Sequence, residues 1–433
     1  MLDNNYSSCS FLNKVSMLLL ALLPILAWYR IPFPLSLGNT LVLFISTYVI
    51  IRNAFRVNCL PTSFWVVFIY VCLIWMYNHQ FKLWTLLPPG GWVFFIFVLT
   101  LQWGVMTFNK DLLIKYMRWI IYISGCLFWI QFIFMITTGT PRICFVPNLT
   151  GSFTYEGFTY AELVSKQMNG GLPCSIFLEK SYLAYYFLTF LSLIWFDKKY
   201  TTELYNKEIL FVILTLFASR SGSALVGFMI LFVVKIFYIL WSSNIKKKVI
   251  VILLIPLLLG FSFLYFKTEF GQHMLSRTNE LSIEGSSGYT RVVGGYLMFE
   301  QLSSTEKIFG IPDAEERFAF KKANGNYVFY VNGMQSILLK LGYIGTFLYL
   351  LFYINIFRRA KIVSRLSIIV LLVMSLLESN YLNPYMALLT IIPCSELYLN
   401  RNKVVYEKSN ACLRHQTRSN QDGSACKGVP EVS

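Results

Sequence analysis

The sequence predicts an all-α polytopic membrane protein of about twelve transmembrane helices, with one large and one medium periplasmic loop. Three observations carry that expectation. The 433 residues are 56% hydrophobic, 17% aromatic and only 13% charged, and the mean hydropathy is +0.58; soluble domains carry about 25% charged residues. Apolar runs of roughly 17–20 residues recur, the length a helix needs to cross about 30 Å of hydrocarbon. One long polar interval, 267–335, interrupts an otherwise almost continuous series of such runs. Backbone groups in lipid must be satisfied within their own segment, so the runs are helices and not open sheets.

Taken in order, the first run, Val15–Ala27, follows Lys14 and resembles a signal h-region. No small-x-small cleavage site precedes Arg30, and Asp3 lies in the n-region, so a retained first span at 14–30 is expected. Spans at 36–51, 61–78, 91–108 and 116–137 follow, then the medium loop 138–180. Four more spans, 181–197, 207–219, 222–241 and 249–266, complete a membrane domain over 1–266. The large loop 267–335 comes next, and spans 336–357, 362–378 and 384–400 close a second membrane domain, 336–400. The segment 401–433 is rich in Ser, Asn, Lys and Arg. It cannot build a core and is expected as a disordered basic cytoplasmic tail. No repeat of 20–50 residues occurs, and the two six-span halves are unlike each other.

Charge orients these spans. Cytoplasmic termini place inside Lys14, Arg52, Arg56, Lys110, Lys115, Arg118, Lys198, Lys199, Lys207, Lys246–Lys248, Arg358, Arg359, Lys361 and Arg365. Only Arg30, Lys82 and Arg220 fall in the short loops opposite, as the positive-inside rule requires. The formal charge of +16 therefore points to cytoplasmic anchoring and not to nucleic acid. Both long loops then face outward, and loops beyond about 12–15 residues are usually functional or disordered. Their apolar and aromatic residues (Phe299, Ile308, Phe309, Phe318, Phe320, Tyr327, Phe329, Tyr330) allow them to fold against the membrane domain.

Cysteine and histidine usage excludes several chemistries. The nine cysteines contain no C-x-x-C pair, and Cys72, Cys126 and Cys394 lie in spans as small apolar residues. Cys144 and Cys174 share the medium loop, which allows a disulfide without fixing one. His79, His273 and His415 are scattered, and there is no metal-ligand spacing, Gly-rich phosphate loop or Ser/His/Asp arrangement. No cofactor is expected. Energy for a reaction outside must come from an activated substrate or a gradient.

The chemistry-bearing candidates are few. Ser219-Arg220-Ser221-Gly222 separates two apolar runs and forms a very tight external turn. An arginine near bilayer depth costs about 2.5–3.5 kcal/mol on insertion scales and is usually paired or functional; the other reading is snorkelling to headgroups. In the large loop, Arg277 precedes Ser286-Ser287-Gly288-Tyr289-Thr290-Arg291. Val292, Val293, Tyr296, Phe299 and Leu302 share a helical face, so Arg291 would stand at a helix start. There the dipole disfavours a cation, but N–H groups and a guanidinium together would hold phosphate. A solvated arginine is the alternative. Glu179, before the sixth span, could accept a proton from a sugar hydroxyl or simply stabilise a helix N-terminus. Lys235 is placed to snorkel inward, and Lys340, one turn into the tenth span, could pair with Glu378.

Four stretches resemble the bacterial O-antigen and capsular polysaccharide polymerase family, which is related to the O-antigen ligases. FASRSGSALVGF is similar to the family's Ser-Arg helix junction. SRTNELSIEGSSGYTRVVGGYLMFEQLSSTEKIFGI is similar to the opening of its large periplasmic loop. VNGMQSILLKLGYIGTFLYLLF resembles the loop exit, with Asn332 before a span containing Leu-Gly-x-Ile-Gly. FLEKSYLAYYF resembles a Glu-Pro-Ser element, with Lys180 where Pro is usual. The resemblance implies a bacterial inner-membrane enzyme, independent of metal and nucleotide, that joins undecaprenyl-diphosphate-linked oligosaccharide repeats into O-antigen, capsule or exopolysaccharide. It assigns catalysis to Arg220, Arg291 and Glu179, and substrate binding to Arg277, Asn332, Ser219 and Lys340. It also admits a chain-length regulator protein as partner. Ligases have His-Asn where this chain has Val331-Asn332, which favours polymerase over ligase. A flippase or transporter is the third reading, and the unlike halves and few intramembrane charges count against it.

Overall fold

The structure is a computed structural model describing residues 11–31, 35–52, 59–78, 89–154, 158–169, 171–200, 203–241, 267, 272, 289–312, 314–318, 320–321, 327–328, 331–377 and 383–401. The expected span 249–266, the loop opening with Arg277, Glu378 and the tail beyond 401 lie outside these residues.

The described chain is almost wholly helical. In order it contains α1 (Phe11–Leu26), α2 (Leu37–Arg52), α3 (Thr62–Asn78), α4 (Pro89–Thr107), α5 (Lys110–Thr138), α6 (Tyr160–Asn169), α7 (Lys180–Ile194), α8 (Glu203–Ala218) and α9 (Gly222–Trp241). A π-helical turn (Thr290–Gly294) then runs into the short helices α10 (Gly295–Glu300), α11 (Ser304–Phe309) and α12 (Ala314–Phe318). A two-residue antiparallel pair, β1 (Phe320–Lys321) and β2 (Tyr327–Val328), follows. The long α13 (Gly333–Arg359), α14 (Ile362–Leu377) and a final helix α15 over 384–401 complete the fold. Helices α5, α9 and α13 are long and apolar enough to cross a membrane; α1, α2, α3 and α14 are apolar but shorter.

Hydrogen bonds sort the helix ends into two faces. Tyr385 at the start of α15 donates to the Tyr182 carbonyl at the start of α7 (3.0 Å), and the Lys180 ammonium beside it donates to the Arg220 carbonyl (3.1 Å). Tyr29, just after α1, donates to the Pro147 carbonyl (2.9 Å). These define the loop end. At the other end Lys110 meets Asp197 (2.6 Å), Arg118 meets Glu208 (2.7 Å), and Lys235 donates to the Trp195 carbonyl that finishes α7 (2.5 Å). Arg365 donates to the Phe357 carbonyl there (3.0 Å), close to Arg358 and Arg359 in the last turn of α13. Lys110, Arg118, Lys235, Arg358, Arg359 and Arg365 thus gather at one end, and Arg358 and Arg359 also complement the C-terminus of α13. Lys235 does not simply reach for water: it sits over the Trp195, Phe196 and Tyr238 rings while bonding a backbone carbonyl.

One continuous core lies between the long helices, with Tyr185, Tyr186, Phe187, Phe190 and Trp103 fully buried. Small residues let backbones approach, as expected where lipid gives helices no hydrophobic reason to associate; a methyl on Gly38 of α2 would fall 2.7 Å from the Ala27 backbone nitrogen after α1. A second, small core of Phe299, Leu302, Ala314, Val331 and Leu339 builds the outer layer on the first turns of α13. The sequence groups Val292, Val293, Tyr296, Phe299 and Leu302 close to one helical face. The structure buries Phe299 and Leu302 but leaves Val292 and Tyr296 about half exposed, at 47% and 48%.

Two glycines fasten that layer to the bundle. Gly310 ends α11 and Gly342 breaks α13 internally, with φ of 87° and 64°. Each sits against the other's backbone: a methyl on Gly310 would lie 2.5 Å from the Gly342 nitrogen, and one on Gly342 2.5 Å from the Gly310 nitrogen. The break frees carbonyls that need donors. Ile311 N–H supplies Leu339 (2.8 Å), and the Tyr70 hydroxyl of α3 lies 3.0 Å from the Leu341 carbonyl and 3.2 Å from that of Phe309.

Candidate functional site at the loop end

The tight Ser-Arg turn is present. α8 stops at Ala218 and α9 starts at Gly222, and Arg220 takes the left-handed conformation, φ 51°. That conformation costs a non-glycine residue about 1–2 kcal/mol, so the surrounding bonds must hold it. The Ser219 hydroxyl donates to the Leu216 carbonyl (2.7 Å), Ser221 and Ser223 hydroxyls pair at 2.9 Å, and Lys180 holds the Arg220 carbonyl. Ser219, a substrate-binding candidate by resemblance, is only 1% exposed and its hydroxyl finishes α8. The Arg220 side chain is half-buried.

Glu179 occupies the residue before α7, where a carboxylate complements the helix dipole, and makes no side-chain capping bond. Its oxygens face the Lys166 ammonium at 3.9 Å and the Ser181 hydroxyl at 3.5 Å. Two buried amides shape the approach to it. Gln131, midway along the apolar α5, accepts from the Cys174 and Ser175 N–H groups (3.1 and 2.8 Å) and donates to the Ile143 carbonyl (2.8 Å). Gln167 of α6 donates to the Phe177 and Leu178 carbonyls (3.4 and 3.3 Å) and accepts from the Cys144 thiol (3.0 Å). Cys144 and Cys174 are free thiols here, both pushed up in pKa by burial. Stacking adds order: Trp28 lies 4.7 Å from Tyr182, which lies 6.1 Å from Tyr385.

Arg291 is the second residue of the π turn that opens this helical run, after Tyr289 with φ −57° and ψ −50°. What fixes Arg291 is the start of α13. The Asn332 side chain accepts from Gln335 N–H (2.8 Å) and the Gln335 side chain accepts from Asn332 N–H (3.1 Å), a reciprocal capping box. The free ends of the same two amides donate to the Arg291 and Val292 carbonyls, at 2.7 and 2.9 Å. Asn332 is 4% exposed, so it positions the arginine's backbone and does not face solvent. Gly295 is needed because a methyl there would lie 2.5 Å from the Gln335 amide oxygen.

These pieces share one surroundings. Helix α14 packs against α7, α9 and the π turn, next to the elements that carry Glu179, Arg220 and Arg291. Lys340 is half-buried beside the Gly342 break, and its carbonyl would lie 2.4 Å from a methyl on Gly310. Arg277 and the suggested Lys340 partner Glu378 lie outside the described residues, and among the described residues no cluster of metal-ligating side chains occurs. Sequence reasoning missed Gln131, Gln167 and Lys166, and it noted Lys180 only as a departure from proline. A polar amide inside an apolar span is the signal that could have found Gln131. No family model and no curated protein matches this chain, so its function is argued from these residues and their geometry.

Proposed function

We propose that the chain is a membrane glycosyltransferase of the polysaccharide-polymerase type, acting on undecaprenyl-diphosphate-linked oligosaccharides at the loop end, with the basic end in the cytoplasm of a bacterial inner membrane. The observation that carries the reading is the care taken over two arginines at that end. Arg220 is kept in an unfavourable backbone conformation by Lys180 and the serine turn, and buried amides hold the Arg291 carbonyl and that of Val292 after it. Arginine suits a diphosphate because its planar fork binds oxygens in pairs and stays charged.

In the proposed reaction a hydroxyl oxygen of the incoming repeat bonds to the anomeric carbon of the growing chain. The bond from that carbon to the diphosphate breaks, and undecaprenyl diphosphate leaves with the electron pair. The hydroxyl proton passes to a base, for which the Glu179 carboxylate, on the first residue before α7, is the candidate. Charge growing on the departing diphosphate is what Arg220 and Arg291 would neutralise, an effect commonly worth about 3–4 kcal/mol per donor. Val331 is fully buried and offers no proton acceptor where ligases place histidine, which supports polymerase over ligase. In cells, Arg220→Ala or Arg291→Ala should abolish long glycan ladders at normal expression and leave single repeats. Normal ladders from both variants rule out this site; accumulation of long lipid-linked chains indicates a ligase instead.

A further inference from the structure

The basic end carries a groove that the polymerase reading does not use. It has a volume of about 570 Å³ and is lined by Lys115, Arg118, Trp119, Tyr122, Lys199 and Tyr200, with Asp111 at one edge. Arg118 is matched by Glu208 (2.7 Å), and Lys199 and Tyr200 both hold Asp111 (2.7 Å each). Lys115 is exposed and makes no ion pair among the described residues. The groove's walls therefore leave one positive charge over, and Asp111 is already occupied by two donors.

Depth identifies the class of ligand. The 29 residues of α5 span about 43 Å at 1.5 Å per residue, more than the roughly 30 Å of hydrocarbon. With Thr138 at the opposite boundary, the turns from Lys110 to Arg118 reach the headgroup layer. Trp119 and Tyr122 follow one turn deeper, 63% and 39% exposed, as interfacial aromatics are placed. Beyond them Ile123, Ile130 and Ile133 remain 54%, 41% and 59% exposed along the same helix. Cations at headgroup depth thus continue into aromatic and then aliphatic surface, which matches a phosphate attached to acyl chains better than a soluble anion.

We propose that this groove binds an anionic phospholipid of the surrounding leaflet, its phosphate beside Lys115 and Arg118 and its chains along Trp119, Ile123 and Ile130. The proposal is independent of the polymerase reading. It is tested by native mass spectrometry of the full chain in detergent, titrated with phosphatidylglycerol or with phosphatidylcholine of the same chains. Phosphatidylglycerol should be retained preferentially. Lys115→Gln should weaken it about fivefold, the value of one near-surface cation, and Lys115→Glu should weaken it further. Lys115→Arg should preserve binding, which separates charge loss from misfolding, and Arg359→Gln, at the same end but outside the groove, should change nothing. Equal retention of the two lipids overturns the proposal, as does unchanged binding in both Lys115→Gln and Lys115→Glu. Displacement by inorganic phosphate or glycerol phosphate at concentrations matching the lipid would show that the acyl chains contribute nothing, and displacement by an acidic peptide would indicate a protein partner; either result also overturns it.

Discussion

Substituting alanine at Gly342 should loosen the outer layer from the helix bundle. Gly342 has φ 64° and ψ −168°, and Gly310 has φ 87° and ψ 174°, a region only glycine occupies without strain of about 1–3 kcal/mol. A methyl on Gly342 would also lie 2.4 Å from the Ile308 carbonyl oxygen and 2.5 Å from the Gly310 nitrogen. These are backbone atoms, so relief requires moving α11 away from α13, and overpacking of this kind costs about 1–3 kcal/mol more. The expected penalty is about 2–6 kcal/mol for either Gly342→Ala or Gly310→Ala. Gly139 provides the control. It also has positive φ, 80°, but nothing lies within 4 Å of a methyl there, so Gly139→Ala should cost only about 1–2 kcal/mol. Limited trypsin digestion of detergent-solubilised protein, followed at Lys307 and Arg317 of the outer layer, measures the difference. Cleavage of the Gly342→Ala and Gly310→Ala proteins no faster than of Gly139→Ala would refute the glycine-to-glycine contact as the fastening point.

Three further outcomes are expected. Asn332→Asp keeps the oxygen that caps α13 but sets a buried carboxylate oxygen against the Arg291 carbonyl in place of the amide; ladder formation should fall and the melting temperature should drop further than in Asn332→Ala, which should lose about 1–2 kcal/mol of stability. Arg118→Ala leaves the Glu208 carboxylate, 2% exposed, without its cation, and should destabilise the bundle by about 3–5 kcal/mol; adding Glu208→Gln should recover part of that loss in a thermal melt. Glu306 is held below the usual carboxylate range by the Ser303 backbone N–H first, then by the Ser303 side chain and Arg317. A depressed folded value means stability that is present above the unfolded value of 4.5 and lost as pH falls through the folded one. Protection factors of the Ser304–Phe309 amides, taken against unstructured peptide at each pH, should therefore fall as pH drops below about 4.5, and Glu306→Gln should remove that dependence.

The parts of this fold legible in the sequence are those set by local rules. Apolar runs gave the helices α1 to α5, α7 to α9 and α13 to α15, because lipid forces each segment to satisfy itself; α6 lies inside the medium loop and was not expected, and α5 starts at Lys110 where a span from 116 was expected. Four residues between two apolar runs leave space only for a tight turn, so the Ser219–Gly222 junction was visible. The loop's last asparagine and the Leu-Gly-x-Ile-Gly pattern were noticed, but not why they matter. Asn332 spends both ends of its amide on the backbone, and Gly342 receives Gly310 from more than thirty positions upstream. Contacts of that range leave no local trace. The same holds for Lys180, whose partner carbonyl on Arg220 is 40 residues away, and for Gln131, whose ligands lie in a separate loop. The π turn at Thr290–Gly294 has no composition of its own and leaves no local signal.

Reconstitution tests the central claim most directly. The purified full chain in liposomes, supplied only with an undecaprenyl-diphosphate-linked repeat unit, should lengthen the glycan and release one undecaprenyl diphosphate per unit added, without metal or nucleotide. Arg220→Ala and Arg291→Ala proteins, folded by their melts, should release none. Lengthening by both variants at the wild-type rate, or intact substrate after incubation with the wild-type protein, would contradict the account.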